Sequence, residues 1–264
     1  MESRRGSFVA AVFVLLSSGA AFAANVYHVQ LDTSKFGRIN QADVPLNPGG
    51  GGQNSCVPTA TMNSFTWLQN TNPFLGNMLT GADPTASASD LGNNHMGSTS
   101  DAGTGANGWI DGKSSWIAAK APGLVTVDGQ SHLYSGTNAD IEQVRPTWQF
   151  FFNALTMGCD VEIGILPNAG GIGHALTLTS FHWVDQNMDN IIQMTENATI
   201  DYIDPANPAM DMISSVWQDA MGILQTNYGG GYNIALTAIE CPVPTPGTAA
   251  LVIVAGIAAY RRRR

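Results

Sequence analysis

The stretch Gln53-Asn54-Ser55-Cys56-Val57-Pro58-Thr59-Ala60 lies between a run of glycines, Gly49 to Gly52, and the amphipathic run Thr61 to Gln69. Ser55 is a favourable helix N-cap and Pro58 is tolerated only in a first helical turn, so Cys56 is expected at or beside the first helical residue. Unpaired backbone N–H groups and the positive end of the helix dipole stabilise a thiolate there, most of all beside a histidine cation. The upstream glycines would keep the sulfur reachable. A lone cysteine before an apolar helix also fits a small buried hydrophobe. In the helix itself, Ala60, Phe65, Leu68 and Met62 form a stripe that predicts a central core element.

Outward from this stretch, the two ends read as sorting signals. Met1 to Ala24 has the pattern of a signal peptide: Arg4 and Arg5, the apolar Phe8 to Leu16, then Ala21-Phe22-Ala23. At the other end, Val243-Pro244-Thr245-Pro246 precedes the apolar Thr248 to Tyr260 and four arginines, Arg261 to Arg264. That apolar run is short for a bilayer span of roughly 20 residues, although tilt and thinning would help, and the arginines would hold its end on the cytoplasmic side. This tail resembles the PEP-CTERM signals of exopolysaccharide-producing bacteria, with Thr245 in place of the usual glutamate. The resemblance implies an exosortase-type membrane enzyme as partner, transient membrane anchoring through 248–260, and delivery to the cell surface or matrix. The expected organisation is a signal peptide over 1–24, one domain over 25–240, and the sorting tail over 241–264.

Between the two signals, five basic residues stand against nearly all of the chain's 20 acidic ones. Such a surface repels a nucleic-acid backbone and excludes that class of partner. About 215 residues suit one domain with a sizeable core. Three cysteines are an odd number for an exported chain. Cys159 and Cys241 both border predicted strands and are the natural pair, which leaves Cys56 free.

Along the body, Asn25 to Leu31 alternates as a strand. Asn70 to Gly108, dense in Asn, Gly, Ser and Thr, reads as a long loop that either covers a cleft or forms a solvated insertion. His95 within it has no partner at metal-ligand spacing. Trp109 to Ala121 reads as a helix, Leu124 to Val127 as a strand ending in an Asp128-Gly129 turn, and Pro146 to Met157 as another helix. From Cys159 the pattern is β: Val161 to Leu166, His174 to Val184, one or two strands within Asn190 to Ile203, and Tyr232 to Glu240. Helices early and strands late predict an α+β architecture.

His174 opens its strand directly after Gly173, a position suited to facing a cleft. His182 sits at an even spacing on the same strand, so the same face is expected, but too far along to share a site. An acid or amide must hold the imidazole from the nitrogen opposite the sulfur. Asp204, at a strand end before Pro205, is favoured, with Asp201, Asp185 and Asn190 as alternatives.

Cys56-Val57-Pro58-Thr59-Ala60, Gly173-His174-Ala175 and Ile203-Asp204-Pro205, in that order, resemble the papain-like cysteine peptidases. Within them the chain looks most like the bacterial double-glycine leader peptidase-like group. The resemblance implies a papain-like α+β fold: the cysteine on a central helix start, and His and Asp on a C-terminal antiparallel sheet. It implies an exported, surface-directed cysteine peptidase without cofactor or metal, acting on a peptide or protein. Cys56 would be nucleophile, His174 base and acid, Asp204 its orienting group, and Gln53 an oxyanion donor. The chain departs from the pattern twice. Val57 replaces a glycine, and Gly50 stands where the family's glutamine usually lies, so that Gln53, or more weakly Asn54, would substitute. The competing expectation is a non-catalytic, acidic matrix or adhesion protein with Cys56 buried and His174 a satisfied core residue.

Overall fold

A computed structural model describes residues 24–47, 54–168, 170 and 173–243. The elements, in chain order, are β1 (Asn25–Gln30), α1 (Cys56–Thr71), α2 (Pro84–Asp90), α3 (Ala106–Lys120), β2 (Val125–Ser131) and β3 (Ile141–Glu142). There follow α4 (Trp148–Met157), β4 (Asp160–Pro167), β5 (His174–Asp185), β6 (Thr199–Ile203), β7 (Asp211–Gln218), β8 (Leu224–Thr226) and β9 (Tyr232–Pro242). The sorting signals, apart from residues 24 and 241–243, the glycine run and Gln53 lie outside the described residues; Cys241 and Pro242, expected in the tail, are the end of β9. Among the described residues no helix is long and apolar enough to cross a membrane.

The expected papain-like α+β fold is corrected. Strands β4 to β9 close into a six-stranded ring in which every neighbouring pair is antiparallel. The remaining strands are additions: β1 pairs with β5, β2 with β9, and β3 lies parallel to β2. The long strands β5 and β9 make this possible by changing partners part-way. One edge of β5 holds β4 near His174 and β1 from Ser180 onward; one edge of β9 holds β8 at Asn233 and β2 from Leu236 onward. Strand β4 is thereby paired on both edges, and closure leaves no open edge along the ring.

Two apolar clusters follow from this closure. Val161, Ile163, Leu176, Leu178, Ile200 and Ile239 share one with Phe151 and Leu155 of α4. The other sits between the helices and the opposite sheet face, where Met62, Phe65 and Leu68 of α1 meet Trp109 and Ile110 of α3 and Ala175, Leu236 and Ala238 of the barrel. Helix α1 is buried on nearly all sides, which fits its apolar and small residues. Its first residue is Cys56, but Ser55 does not cap it through the side chain; Ser55 Oγ instead donates to the Gln41 carbonyl at 2.7 Å.

Three further expectations change. The 70–108 stretch is not a bare loop: Asp83 accepts from the Thr85 and Ala86 amides, Pro84 occupies the first turn, and α2 follows. Asp128-Gly129 is not a turn but lies within β2, where a Cβ on Gly129 would sit 2.9 Å from the Thr237 carbonyl of β9. In β5 a register shift between Leu178 and Ser180 reverses the alternation, so Leu176 and Leu178 point inward with Phe181 and Trp183 while His182 turns outward.

Cys159 and Cys241 form a disulfide, which ties the start of β4 to β9 across 82 residues of chain. Lys113 of α3, counted above with the surface charges, is fully buried and ion-pairs with Glu162 of β4 and with Glu240 of β9 at 2.7 Å. Asp160 lies beside them; burial and the Glu162 charge outweigh the lysine and push its carboxyl up to about 7. The lysine is the cation that makes two buried carboxylates tolerable, so Lys113→Met should cost about 3–5 kcal/mol in urea denaturation. The triple variant Lys113→Met, Glu162→Gln, Glu240→Gln should recover part of that loss; equal stability of Lys113→Met and wild type would refute the assignment.

Candidate active site

Three elements meet at one cleft. Cys56 stands at the first turn of α1, 9% exposed, with its backbone N–H outside the helical hydrogen-bond ladder. His174 is the first residue of β5. Ile203, the last residue of β6, pairs with Thr177 of β5, which sets Asp204 beside the same end of that strand. Residues 118 and 30 positions apart thus converge because the barrel register and the helix start fix each of them.

His174 Nε2 and Asp204 Oδ1 are 2.8 Å apart. Cys56 lines the same cleft and acts on the ring electrostatically, so the thiol and the imidazole share one site. Burial alone would pull the imidazole down, but the Asp204 bond, the influence of the Cys56 thiol and the charges of both groups push it up to about 9. For Asp204, burial acts to raise the carboxyl, yet the His174 bond and charge, the Ala206 amide and the Tyr228 hydroxyl together hold it below its usual range. Its Oδ1 also accepts from Ala206 N at 2.8 Å, and its Oδ2 from the Tyr228 hydroxyl at 2.9 Å. A carboxylate with three donors has little freedom to turn.

Tyr228 was not legible in the sequence. It precedes a glycine triplet, Gly229 to Gly231, and an aromatic beside such a turn carries no distinguishing pattern. In the structure its ring stacks on His174, with centroids 5.6 Å apart and planes at 28°. Burial, then the Asp204 charge, holds its hydroxyl well above the usual tyrosine range, so it remains a donor. Gln41 is a second residue without a sequence signal. Its amide donates to the Pro205 carbonyl at 2.8 Å while its own carbonyl accepts from Ser55 Oγ, so one residue links the approach to Cys56 with the turn after Asp204. Nearby, Arg38 pairs with Asp211 at 2.6 Å and donates to the Pro208 carbonyl.

The cleft holds about 190 Å³ and is largely apolar, with Cys56 and His174 on its wall beside Val57, Trp109, Leu166 and Leu236. The 102–106 segment also lines it, so the end of the Asn/Gly-rich stretch borders a cleft. A Cβ on Gly164 would meet the Trp109 ring at 2.9 Å, so a glycine there lets Trp109 lie against β4.

The alternatives to Asp204 fall elsewhere. Asp201 pairs with Ser180 in the middle of β5, Asp185 accepts from the Asn190 amide, and Asn190 Oδ1 accepts from the Tyr27 hydroxyl at 2.9 Å. Gln53 lies outside the described residues, and Asn54, which lines the cleft, commits its side-chain amide to the Ser100 carbonyl. His95 contacts Ser115 and the edge of Trp116, away from the cleft. Asp160, Glu162 and Glu240 are near enough to one another to hold a metal ion, but Lys113 already supplies a cation to that cluster. Comparison with protein-family models finds no match to this chain, and no curated protein is significantly similar in sequence.

Proposed function

We propose that this chain is a cysteine-dependent amide hydrolase acting on peptides or proteins. The observation that carries the reading is the convergence of a helix-start thiol and an imidazole locked by a carboxylate at the wall of a cleft. An imidazolium beside a sulfur favours the thiolate. In the proposed cycle the Cys56 sulfur attacks the substrate carbonyl carbon, and the Cys56 backbone N–H donates to the developing oxyanion. His174 then gives its proton to the departing amine, leaving a thioester. A water, deprotonated by His174, attacks that thioester; the acid product leaves and the thiolate–imidazolium pair is restored. Asp204 holds the ring in register throughout, and Tyr228 holds Asp204. Transfer of the acyl group to an amine instead of water would use the same residues.

The fold that carries these groups is the closed barrel, so the proposal rests on their arrangement and not on a shared architecture. The Cys159–Cys241 disulfide supports an exported setting, since such bonds persist in oxidising compartments.

Labelling with iodoacetamide across pH tests the reading. Cys56 should react well below pH 8, and His174→Ala should remove that reactivity; labelling only near pH ~8.5, the ordinary thiol range, and indifferent to His174 would sink it. With a cleaved peptide in hand, His174→Ala should lower kcat/KM by on the order of 10²–10⁴. Tyr228→Phe should lower kcat on the order of tenfold with KM little changed, because only the positioning of Asp204 is weakened.

Stability should respond to pH with opposite signs at the two partners. The His174 pKa is raised from 6.5 to about 9, so its contribution is complete below 6.5 and is lost as pH rises through about 9. Asp204 is lowered, so its contribution is present above the ordinary carboxylate range and is lost on acidification. The gap in unfolding free energy between wild type and His174→Gln should therefore narrow between pH 6.5 and pH 10. A gap independent of pH would contradict this.

A further inference from the structure

The outer face of the barrel presents a second cluster. His28 of β1 and His182 of β5 are directly opposite in the antiparallel register, with ring centroids 5.4 Å apart and planes at 73°. His182 faces outward only because the β5 register shift reverses the strand's alternation after Leu178. Asp201 of β6 pairs with Ser180, two residues before His182, and so lies diagonally beside it on the same face. Burial, then the Asp211 carboxylate, raises Asp201, while His28 and His182 both pull it the other way. Asp211 itself is engaged by Arg38. Among the described residues, neither imidazole has a hydrogen-bond partner. His28 is exposed and His182 half-buried, so both are open to an ion from solvent.

We propose that His28 and His182, facing each other across the β1–β5 seam, bind a divalent transition-metal ion on this face, with the Asp201 carboxylate nearby as a charge-balancing group and not a ligand. Imidazole nitrogens select zinc, copper or nickel over calcium or magnesium, which prefer oxygen donors. Two metal–nitrogen bonds of about 2.0–2.1 Å at a tetrahedral centre hold the nitrogens about 3.4 Å apart. The register already sets the two rings opposite each other with centroids 5.4 Å apart, so closing on an ion would ask for side-chain rotation and not a change of strand pairing. The carboxylate balances part of the ion's charge, and water completes the shell. Bound there, the ion would fasten β1 to the barrel, giving the site a stabilising role separate from the cleft.

The test uses the full chain carrying Cys56→Ser, so that the thiol cannot take the metal. Calorimetric titration with Zn²⁺ should show one saturable site, and thermal denaturation should show a higher Tm with the ion. His28→Ala and His182→Ala should each weaken binding by roughly tenfold or more, and Asp201→Asn should weaken it less. Cu²⁺ added to the same protein should show two nitrogen ligands by electron paramagnetic resonance. Should either histidine variant fold poorly, the Cu²⁺ spectrum of the Cys56→Ser chain decides alone. Absence of saturable Zn²⁺ binding, binding unchanged in the double histidine variant, or a Cu²⁺ spectrum without two nitrogens would each overturn the proposal.

Discussion

Strand β4 is paired along both edges, with β5 on one side and β9 on the other, and the rest of the molecule depends on that double pairing. It turns what would be an open sheet into a ring, so the backbone groups of all six strands find partners without exposing an edge. It also sorts the side chains of β4. Val161, Ile163 and Ile165 enter the apolar cluster shared with α4, whereas Asp160, Glu162 and Gly164 face the helices. Of the two acids, Glu162 is matched by Lys113 reaching in from α3, and the glycine by Trp109 one turn earlier on the same helix. A single strand thus anchors the ion pair, the aromatic wall of the cleft and the disulfide.

The candidate site inherits its geometry from this frame and from one strap. Cys56 belongs to a helix, His174 to a strand and Asp204 to a turn, three kinds of element that could shift independently. The segment around Arg38 and Gln41 couples them, binding the chain before Cys56 on one side and the Pro205 to Asp211 region on the other. Asn63 adds a further tie, since its Oδ1 accepts from the Ile39 amide at 2.8 Å and so fixes the strap to the body of α1.

The sequence was informative where chemistry is local. A proline and a serine around Cys56, a glycine before His174 and a proline after Asp204 each mark an element boundary. The cysteine pairing was legible for the same reason. The ring was not, because closure depends on long-range edge pairing that leaves no mark on any one strand. Strands β7 and β8 carry Asp211, Ser214, Ser215, Gln218 and Gln225, too polar to read as strands, yet the ring needs both. Lys113 looked like a surface charge because a buried cation is recognisable only once its acids are placed. The outward turn of His182 was hidden by a bulge, which shifts parity without changing composition.

The disulfide lies at the β4–β9 seam, so the ring cannot be unzipped there while the bond holds. The join with the fewest paired positions among the described residues is the one between β8 and β9, where Gln225 faces Asn233 and Thr226 faces Tyr232. Tyr228 sits in the short connection between those two strands. Fraying would therefore start where the aromatic clasp on the carboxylate is held, and the molecule would lose its reactive alignment while most of the barrel still stood.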